Sequence, residues 1–514
     1  MTRRGFFPRT GEYTAILGST LLFAIAFPPF PLLVPAFFCL VPFAVAVTRR
    51  ADQAGTKREA ARIGFWFGML GYACNLYWIA IALSIFTKLA ILGYIAALFV
   101  LAPIVGLAGL SLFLLRRRTR LPLALLLPVV WVASEVALNY MSDLSFPWLP
   151  LGLSLARTPV LAQAADLSGV RGLSFAIAAV NGLIADAWLL RGQRDAIAKR
   201  LVAAVAIVAA LGAYGAWRMQ TTVLRALAPV AIVQPNIPQE EKWQAENQEH
   251  IQVILDDITM KRIAAHDAKL ILWPEAALPG FIANHPEWSS ALRRMAATSR
   301  TPIIFGTLDV VWHGIDEYDY YNAAMLVDSA GVLNAQPPYR KSYLVPIVER
   351  VPFVNPRWFK KLKYFGGYGR GQNTKPFDVG FGKVGVLICY ESIFPQRSRE
   401  FRRNGADLIV NITNDAWFGK SLAPYQHEAH MALRAIENRV GIVRAANTGI
   451  SGYIDPLGRI SGETQLEVQA SRVYNAQTTD VRTLYVRIGD WLGMLAFVST
   501  VLGLVWVRLR PRAA

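Results

Sequence analysis

The chain has 514 residues, of which 54% are hydrophobic and 17% charged, and it carries a formal net charge of +18. The charged share is far below the roughly 25% of ordinary soluble domains and the length exceeds one domain, which excludes a single soluble globule. Long apolar runs crowd into residues 1–217 and recur once near the end, whereas residues 218–488 have ordinary globular texture. The expected organisation is a membrane domain (1–217), a soluble domain (218–488) and a C-terminal span with a short tail (489–514).

From the start, Arg3, Arg4 and Arg9 precede an apolar run from Tyr13 to Phe27, the layout of a secretory signal peptide. A second run, Leu32 to Val47, follows after only a Pro-rich corner and more succeed it, so the first run is expected to be an uncleaved helix. Further runs cover Gly64 to Phe86, Leu89 to Leu115, Leu121 to Leu138, Leu173 to Leu190, Leu201 to Trp217 and Trp491 to Val507. Each is near the ~20 residues that a bilayer core requires, giving an expectation of eight spans.

Lys and Arg are retained on the cytoplasmic side, so alternate loops test the spans. Arg49, Arg50, Lys57, Arg58 and Arg62 follow the second run, Arg116, Arg117, Arg118 and Arg120 the fourth, Arg191, Arg194, Lys199 and Arg200 the sixth, and Arg508, Arg510 and Arg512 the last. The intervening loops are poor in cations: Lys88 in one, Arg157 and Arg171 in another. Both termini are therefore expected in the cytoplasm and the soluble domain outside. Much of the positive charge is then topology, which removes the main support for nucleic-acid binding. Within the spans, Glu135 and Asn75 are expected to face protein and play structural parts.

The soluble domain alternates short apolar strands with helices. Ala228 to Val233 runs into Gln234, Lys269 to Trp273 ends in Pro274 and Glu275, Ile303 to Gly306 repeats the pattern, and Leu408 to Ile412 runs into Asn414 and Asp415. Helical stretches, Glu246 to Ala265 and Gln426 to Val440, alternate with them. Strand, helix, strand with polar residues at strand ends predicts an α/β sandwich. One further strand, in Lys383 to Ser392, delivers Cys389 to its C-terminal end, a common seat of catalytic groups. Cys39 and Cys74 fall in spans, so Cys389 has no disulfide partner in its own domain. By itself a lone cysteine is better read as a buried structural residue.

The surrounding motifs reverse that balance. WPEAALPGF from Trp273, the Lys341 that follows Pro-Tyr-Arg, and LICYES around Cys389 resemble the Glu, Lys, Cys triad of the nitrilase superfamily. With VQPNIPQ from Val233, NDAWFG from Asn414, FPWLPLG from Phe146, GVRGLSF from Gly169 and the eight runs, the chain resembles the membrane-bound apolipoprotein N-acyltransferases of that superfamily. The resemblance implies a helical membrane bundle carrying a periplasmic αββα nitrilase-like domain in the bacterial inner membrane. It implies Glu275 as general base, Lys341 as oxyanion stabiliser and Cys389 as nucleophile, supported by Glu349 and Tyr390, with Trp243, Asn322 and Trp417 handling substrate. The expected acyl donor is a phospholipid, typically phosphatidylethanolamine, and the acceptor the α-amine of a diacylglyceryl cysteine on an apolipoprotein, with a Cys389 thioester between them. No cofactor or metal is expected, the six histidines showing no zinc spacing, and a monomer is expected. His427 and His430 are expected at the surface or behind the site.

Two features modulate these expectations. Where the family pattern reads Lys, any residue, His or Arg, Leu, Val, Pro, Phe, Gly, Glu, this chain has Tyr343 at the basic position and Ile347-Val348 for Phe-Gly. Trp358 to Arg370 interleaves aromatic and basic residues and contains Gly366, Gly367 and Gly369; it reads either as a mobile lid at the headgroup level or as a solvated basic loop. The competing activities are a membrane-anchored amidase that hydrolyses a C–N bond, and a scaffold that only binds lipoproteins.

Overall fold

The computed structural model describes residues 5–53, 55–263, 268–314, 317–359 and 366–509. The chain divides into two compact units: one of residues 1–141, 145–221 and 488–514, the other of 142–144 and 222–487.

The first unit is helical. Among the described residues, five of its helices are long and apolar enough to cross a membrane: Val34–Asp52, Ala90–Thr119, Ala165–Leu189, Arg194–Thr221 and Trp491–Leu509. A sixth candidate, Lys57–Leu76 with Trp78–Ser84, is bent by 57°. The other two expected spans are shorter helices. Thr10–Ala24 has 15 residues, a length of roughly 22 Å at 1.5 Å per residue, and ends ahead of Pro28, Pro29 and Pro31, which lack the donors to continue it. Leu123–Asn139 has 17 residues.

Small residues let these helices approach closely. A Cβ on Gly64 would lie 2.4 Å from the Val105 carbonyl oxygen, and one on Gly109 2.7 Å from that of Ala60. Glu135 is buried and accepts hydrogen bonds from the Trp131 indole (3.0 Å) and the Leu151 amide (2.7 Å), and Asn75 donates to the Gly71 carbonyl (3.1 Å). The last helix is fastened by polar contacts: Arg171 pairs with Asp490 at 2.5 Å, and the Trp491 indole donates to the Leu167 carbonyl at 3.0 Å.

The second unit contains two six-stranded sheets. In chain order the strands are β1 (Arg225–Gln234), β2 (Leu270–Leu272), β3 (Ile303–Trp312), β4 (Tyr318–Val327), β5 (Tyr339–Arg340), β6 (Phe377–Asp378), β7 (Lys383–Ile388), β8 (Leu408–Thr413), β9 (Gly441–Ala446), β10 (Gly452–Ile454), β11 (Ile460–Ser461) and β12 (Ala470–Thr478). The sheet orders are β12-β1-β2-β3-β4-β5 and β11-β10-β9-β8-β7-β6, with the central strands of each parallel and the edges antiparallel. The parallel strands are buried on both faces and mostly apolar, with Asn411 and Arg444, among the exceptions, bonding each other. Ala231 and Val233 of β1 pack with Leu255 and Ile258 of helix Gln248–Ile258 and with Trp288 and Leu292 of helix Pro286–Ser299. Helices Pro395–Arg403 and Ala423–Asn438 accompany the second sheet, making the expected αββα sandwich.

The Arg171–Asp490 pair gives a stability prediction. Arg171→Met leaves the Asp490 carboxylate without its partner and should cost about 3–5 kcal/mol, seen as a lower melting temperature in detergent. The double variant with Asp490→Asn should recover most of the loss.

Candidate active site

Four chain segments meet at the C-terminal ends of strands, where the backbone leaves the sheets and side chains can converge. β2 ends at Leu272 and places Glu275 three residues on; β5 is followed at once by Lys341; β7 by Cys389; β8 by Asn414. Glu275, Lys341 and Cys389 are 5%, 1% and 5% exposed, so charge at the site acts where water screens little.

Glu275 is held by the turn beneath it. A Cβ at Gly306 on β3 would stand 2.5 Å from both the Ala276 amide nitrogen and the Pro274 carbonyl oxygen, so only glycine lets β3 pass under this carboxylate. One oxygen, Oε1, accepts from Lys341 Nζ (3.1 Å) and Asn322 Nδ2 (2.7 Å), and Oε2 accepts from the Asn414 amide (2.9 Å). Lys341 Nζ also donates to Glu349 Oε1 at 2.9 Å, whose Oε2 accepts from the Val345 amide at 2.8 Å. Asn322 Nδ2 closes the ring with a 3.0 Å bond to Glu349. One ammonium thus serves two carboxylates. Burial pulls Lys341 down, but Glu275 and Glu349 outweigh it and hold the ammonium well above its usual range.

Cys389 adopts φ +48°, a left-handed conformation that is costly outside glycine and recurs at functional turns. Burial, then the Glu275 carboxylate, pushes its thiol up, against the attraction of Lys341 and a hydrogen bond with Thr413. The resting sulfur is therefore a neutral thiol that must lose its proton as it reacts.

Glu391 joins the two sheets at this point. Fully buried, its carboxylate accepts from the Tyr339 hydroxyl (2.8 Å), the Ser342 amide and hydroxyl (both 2.7 Å), the Tyr343 amide (3.3 Å) and the Ile388 amide (2.9 Å). The residues on either side of Lys341 are thereby tied to the residue before Cys389.

The remaining expected residues fall around this core. Tyr390 is buried edge-on to Phe394 (5.2 Å between centroids) and lies within electrostatic reach of Lys341 and Glu349. Trp243 is half-buried against the cluster of Leu308, Tyr320, Leu344 and Tyr368, and Trp417 is half-buried in the turn Asp415–Phe418. His427 and His430 lie in the interior, not at the surface: both are fully buried on helix Ala423–Asn438. His427 meets the Cys389 carbonyl (3.1 Å) and the Ser392 hydroxyl (2.8 Å) through Nε2, and Asp415 (3.0 Å) through Nδ1. Asp415 pairs with Arg444 at 2.6 Å. His427 thus acts on the backbone of the cysteine from behind.

At the altered positions, Tyr343 stacks on Phe394 at 4.1 Å and accepts from the Gln396 amide at 3.0 Å. Ile347 takes φ +71° in a tight turn closed by the Val348 amide on the Pro346 carbonyl (2.9 Å), a strained conformation for a β-branched residue. Of the aromatic and basic stretch, Lys360, Lys361, Lys363, Tyr364 and Phe365 lie outside the described residues. Its glycines lie in close contact with neighbouring backbone and rings. Gly366 donates to the Val348 carbonyl (2.7 Å) and Gly369 to that of Tyr320 (2.8 Å), while Cβ atoms on Gly367 and Gly369 would stand 2.5 Å from the Tyr320 hydroxyl and the Tyr321 ring.

Four participants escaped the motif reading: Glu391, Asn414, Gly306 and Lys242, whose ammonium donates to the Glu275 carbonyl at 2.9 Å. The first two stand inside motifs already singled out, LICYES and NDAWFG, and that proximity was the available signal.

The second unit corresponds to a known class. The carbon-nitrogen hydrolase family matches residues 229–477, and the apolipoprotein N-acyltransferase N-terminal domain matches residues 19–183. Apolipoprotein N-acyltransferases from Geobacter metallireducens and Chlorobaculum tepidum are 34% and 32% identical to the chain, each over 94% of it and over 92% and 95% of their own lengths. The chain belongs to the apolipoprotein N-acyltransferase family. Among solved structures, an amidase of the nitrilase superfamily from Nesterenkonia AN1 is 19% identical with a TM-score of 0.40, the match covering 54% of this chain and 99% of that one.

Glu391→Gln tests the tie between the sheets. Replacing a buried carboxylate that accepts this many bonds should destabilise the protein by about 2–3 kcal/mol and lower the alkylation rate of Cys389 at neutral pH, read by mass spectrometry.

Proposed function

We propose that the protein transfers an acyl chain from a membrane phospholipid, through a thioester on Cys389, to the α-amine of the N-terminal diacylglyceryl cysteine of an apolipoprotein. The observation that carries this reading is a buried thiol within electrostatic reach of a carboxylate and an ammonium that hydrogen-bond each other, in a chain related to an N-acyltransferase over 94% of its length.

As the Cys389 sulfur attacks the ester carbonyl, its proton passes to Glu275. Negative charge develops on the carbonyl oxygen, and Lys341 stabilises it where water is scarce. Collapse expels the lysophospholipid alkoxide, which takes the proton from Glu275 and leaves a thioester. In the second half, the neutral α-amine attacks the thioester, Glu275 takes the amine proton, and the departing sulfur recovers it as the amide forms. Glu349 and Asn322 hold Lys341 and Glu275 in register, and Tyr390, Trp243 and Trp417 line the approach of substrate. Phosphatidylethanolamine suits the donor role, and the enzyme acts as a monomer. We assign the eight apolar runs to eight spans of an inner-membrane protein, residues 1–217 and 489–514 forming the membrane part and 218–488 the periplasmic catalytic domain, with both termini cytoplasmic; the distribution of Lys and Arg supports this.

Incubation of the purified protein with phosphatidylethanolamine should add the mass of one acyl chain to wild type and none to Cys389→Ala. A diacylated lipopeptide should then discharge the adduct onto its amine; discharge to water alone would instead make the protein a hydrolase, and the absence of any adduct would sink the thioester. For topology, an impermeant maleimide added outside spheroplasts of a cysteine-free background should label Glu246→Cys and spare Gln193→Cys; the reverse pattern would overturn the orientation.

A further inference from the structure

Lys242 has no part in the chemistry so far, yet it is a cation buried to 1% exposure beside the reacting groups. It sits at the end of a short helix, Gln239–Lys242, whose first residue accepts the Asn414 side-chain amide at 2.7 Å; Asn414 in turn donates its backbone amide to Glu275. The helix is thus anchored to the same segment that holds the carboxylate, and it turns the Lys242 side chain inward. Among the described residues its ammonium has one hydrogen-bond partner, the Glu275 backbone carbonyl at 2.9 Å, and no carboxylate within ion-pair distance. A buried ammonium with one neutral acceptor is expensive to retain unless its charge is used.

The charges around the thiol show the use. Glu275 and Glu349 bring two negative charges and Lys341 one positive, so the hydrogen-bonded ring carries a surplus negative charge. A thiol in that surrounding resists ionisation, and the transition state adds still more negative charge on sulfur and oxygen. A second cation restores balance. The field of Lys242 couples to both Glu275 and Cys389.

We propose that Lys242 is a positioning residue of the acyl-transfer site: it pins the turn that carries Glu275, and its charge offsets the second carboxylate so that the Cys389 proton can leave. The chemical step is unchanged, the proton still moving from sulfur to Glu275; Lys242 gains and loses no atom during it. Burial draws its ammonium down to about 8 against the attraction of Glu275 and Cys389, the titratable groups that face it. As pH rises through that value Lys242 loses its charge, and acylation slows. The Cys389 thiol, pushed up by burial, works in the opposite sense and at higher pH.

The inference rests on the acyl-transfer reading, so the test separates the two. In full-length protein, the rate of acyl adduct formation from phosphatidylethanolamine is followed by intact mass between pH 6 and 10 for wild type, Lys242→Met and Lys242→Arg. No lipopeptide is present, and phosphatidylglycerol, which carries no amine, is run beside phosphatidylethanolamine so that titration of the ethanolamine headgroup is told apart from that of Lys242. Wild type should lose rate with a midpoint near pH 8. Lys242→Met should be slowed about 100-fold at pH 7 and lose that limb. Lys242→Arg, which stays charged throughout, should keep at least a tenth of the rate and also lack the limb. A Lys242→Met enzyme within threefold of wild type, or a Lys242→Arg enzyme that keeps the limb, overturns the proposal; should Lys242→Met not fold, the arginine variant decides alone. Alkylation of Cys389 by iodoacetamide supplies a readout free of lipid. Lys242→Met should react at least tenfold more slowly than wild type at pH 7, and equal rates overturn the proposal. If wild type alkylates normally but accepts no acyl chain, the donor assignment fails and the alkylation comparison still judges Lys242.

Discussion

The carboxylate of Glu391 is the point on which the site depends. The proposed catalytic groups come from two different sheets, and nothing in the strand ladders of either fixes one sheet's loops against the other's. Glu391 does so by accepting from Tyr339 and Ser342, on either side of Lys341, and from Ile388, next to Cys389. Such charge-assisted bonds are stronger than neutral ones, and burial leaves them no competing water. The Asn414 amide adds a second tie between the sheets, to Glu275, and Asn322 and Val345 complete the support of the two carboxylates that share Lys341.

Behind the cysteine lies a second polar layer, fully enclosed. Ser392, His427 and Asp415 are joined in a chain that has the composition of a hydrolytic triad, but each is sealed from solvent and the imidazole spends its Nε2 on the Cys389 carbonyl as well as on the serine. Its place is to hold a backbone that runs at φ +48°. Arg444 completes the layer by pairing with Asp415, whose carboxyl, despite its burial, is held well below the usual carboxylate range by Arg444 and His427. Strain at Cys389 is thus stored against a buried, hydrogen-bonded network.

The strands and the three proposed catalytic residues were legible because apolar runs ending in a single polar residue are local patterns. Ala228 to Val233 and Leu408 to Ile412 both lie within observed strands. Glu391 was not legible as a bridge, since a glutamate after a Cys-Tyr pair reads equally well as turn surface, and only the tertiary approach of Tyr339 and Ser342 gives it its partners. His427 stands behind the site, one of the two places expected for it, and the surface alternative falls because every residue from Ala423 to Asn438 except Tyr425 is buried. Span lengths suffered from the Pro-rich corner, ahead of which the first helix stops three residues short of the end of its apolar run, and from the break at Tyr77 between the two segments of the bent pair. The glycines of the aromatic stretch mark places where backbone lies directly on Tyr320 and Tyr321.

The Arg171–Asp490 pair has a meaning beyond its own energy. The helix it fastens belongs to the same unit as the helices that precede residue 222, so residues 222–487 enter and leave through one folded body. While that body stays intact, the intervening chain is a closed loop even when its own sheets come apart. Together with the packing of the last helix on its neighbours and the Trp491–Leu167 bond, the pair works as a reversible cross-link. In chain-entropy terms, closing so long a loop removes about 5 kcal/mol of disorder from the unfolded segment, an effect of the size usually credited to a disulfide and obtained here without oxidising a cysteine.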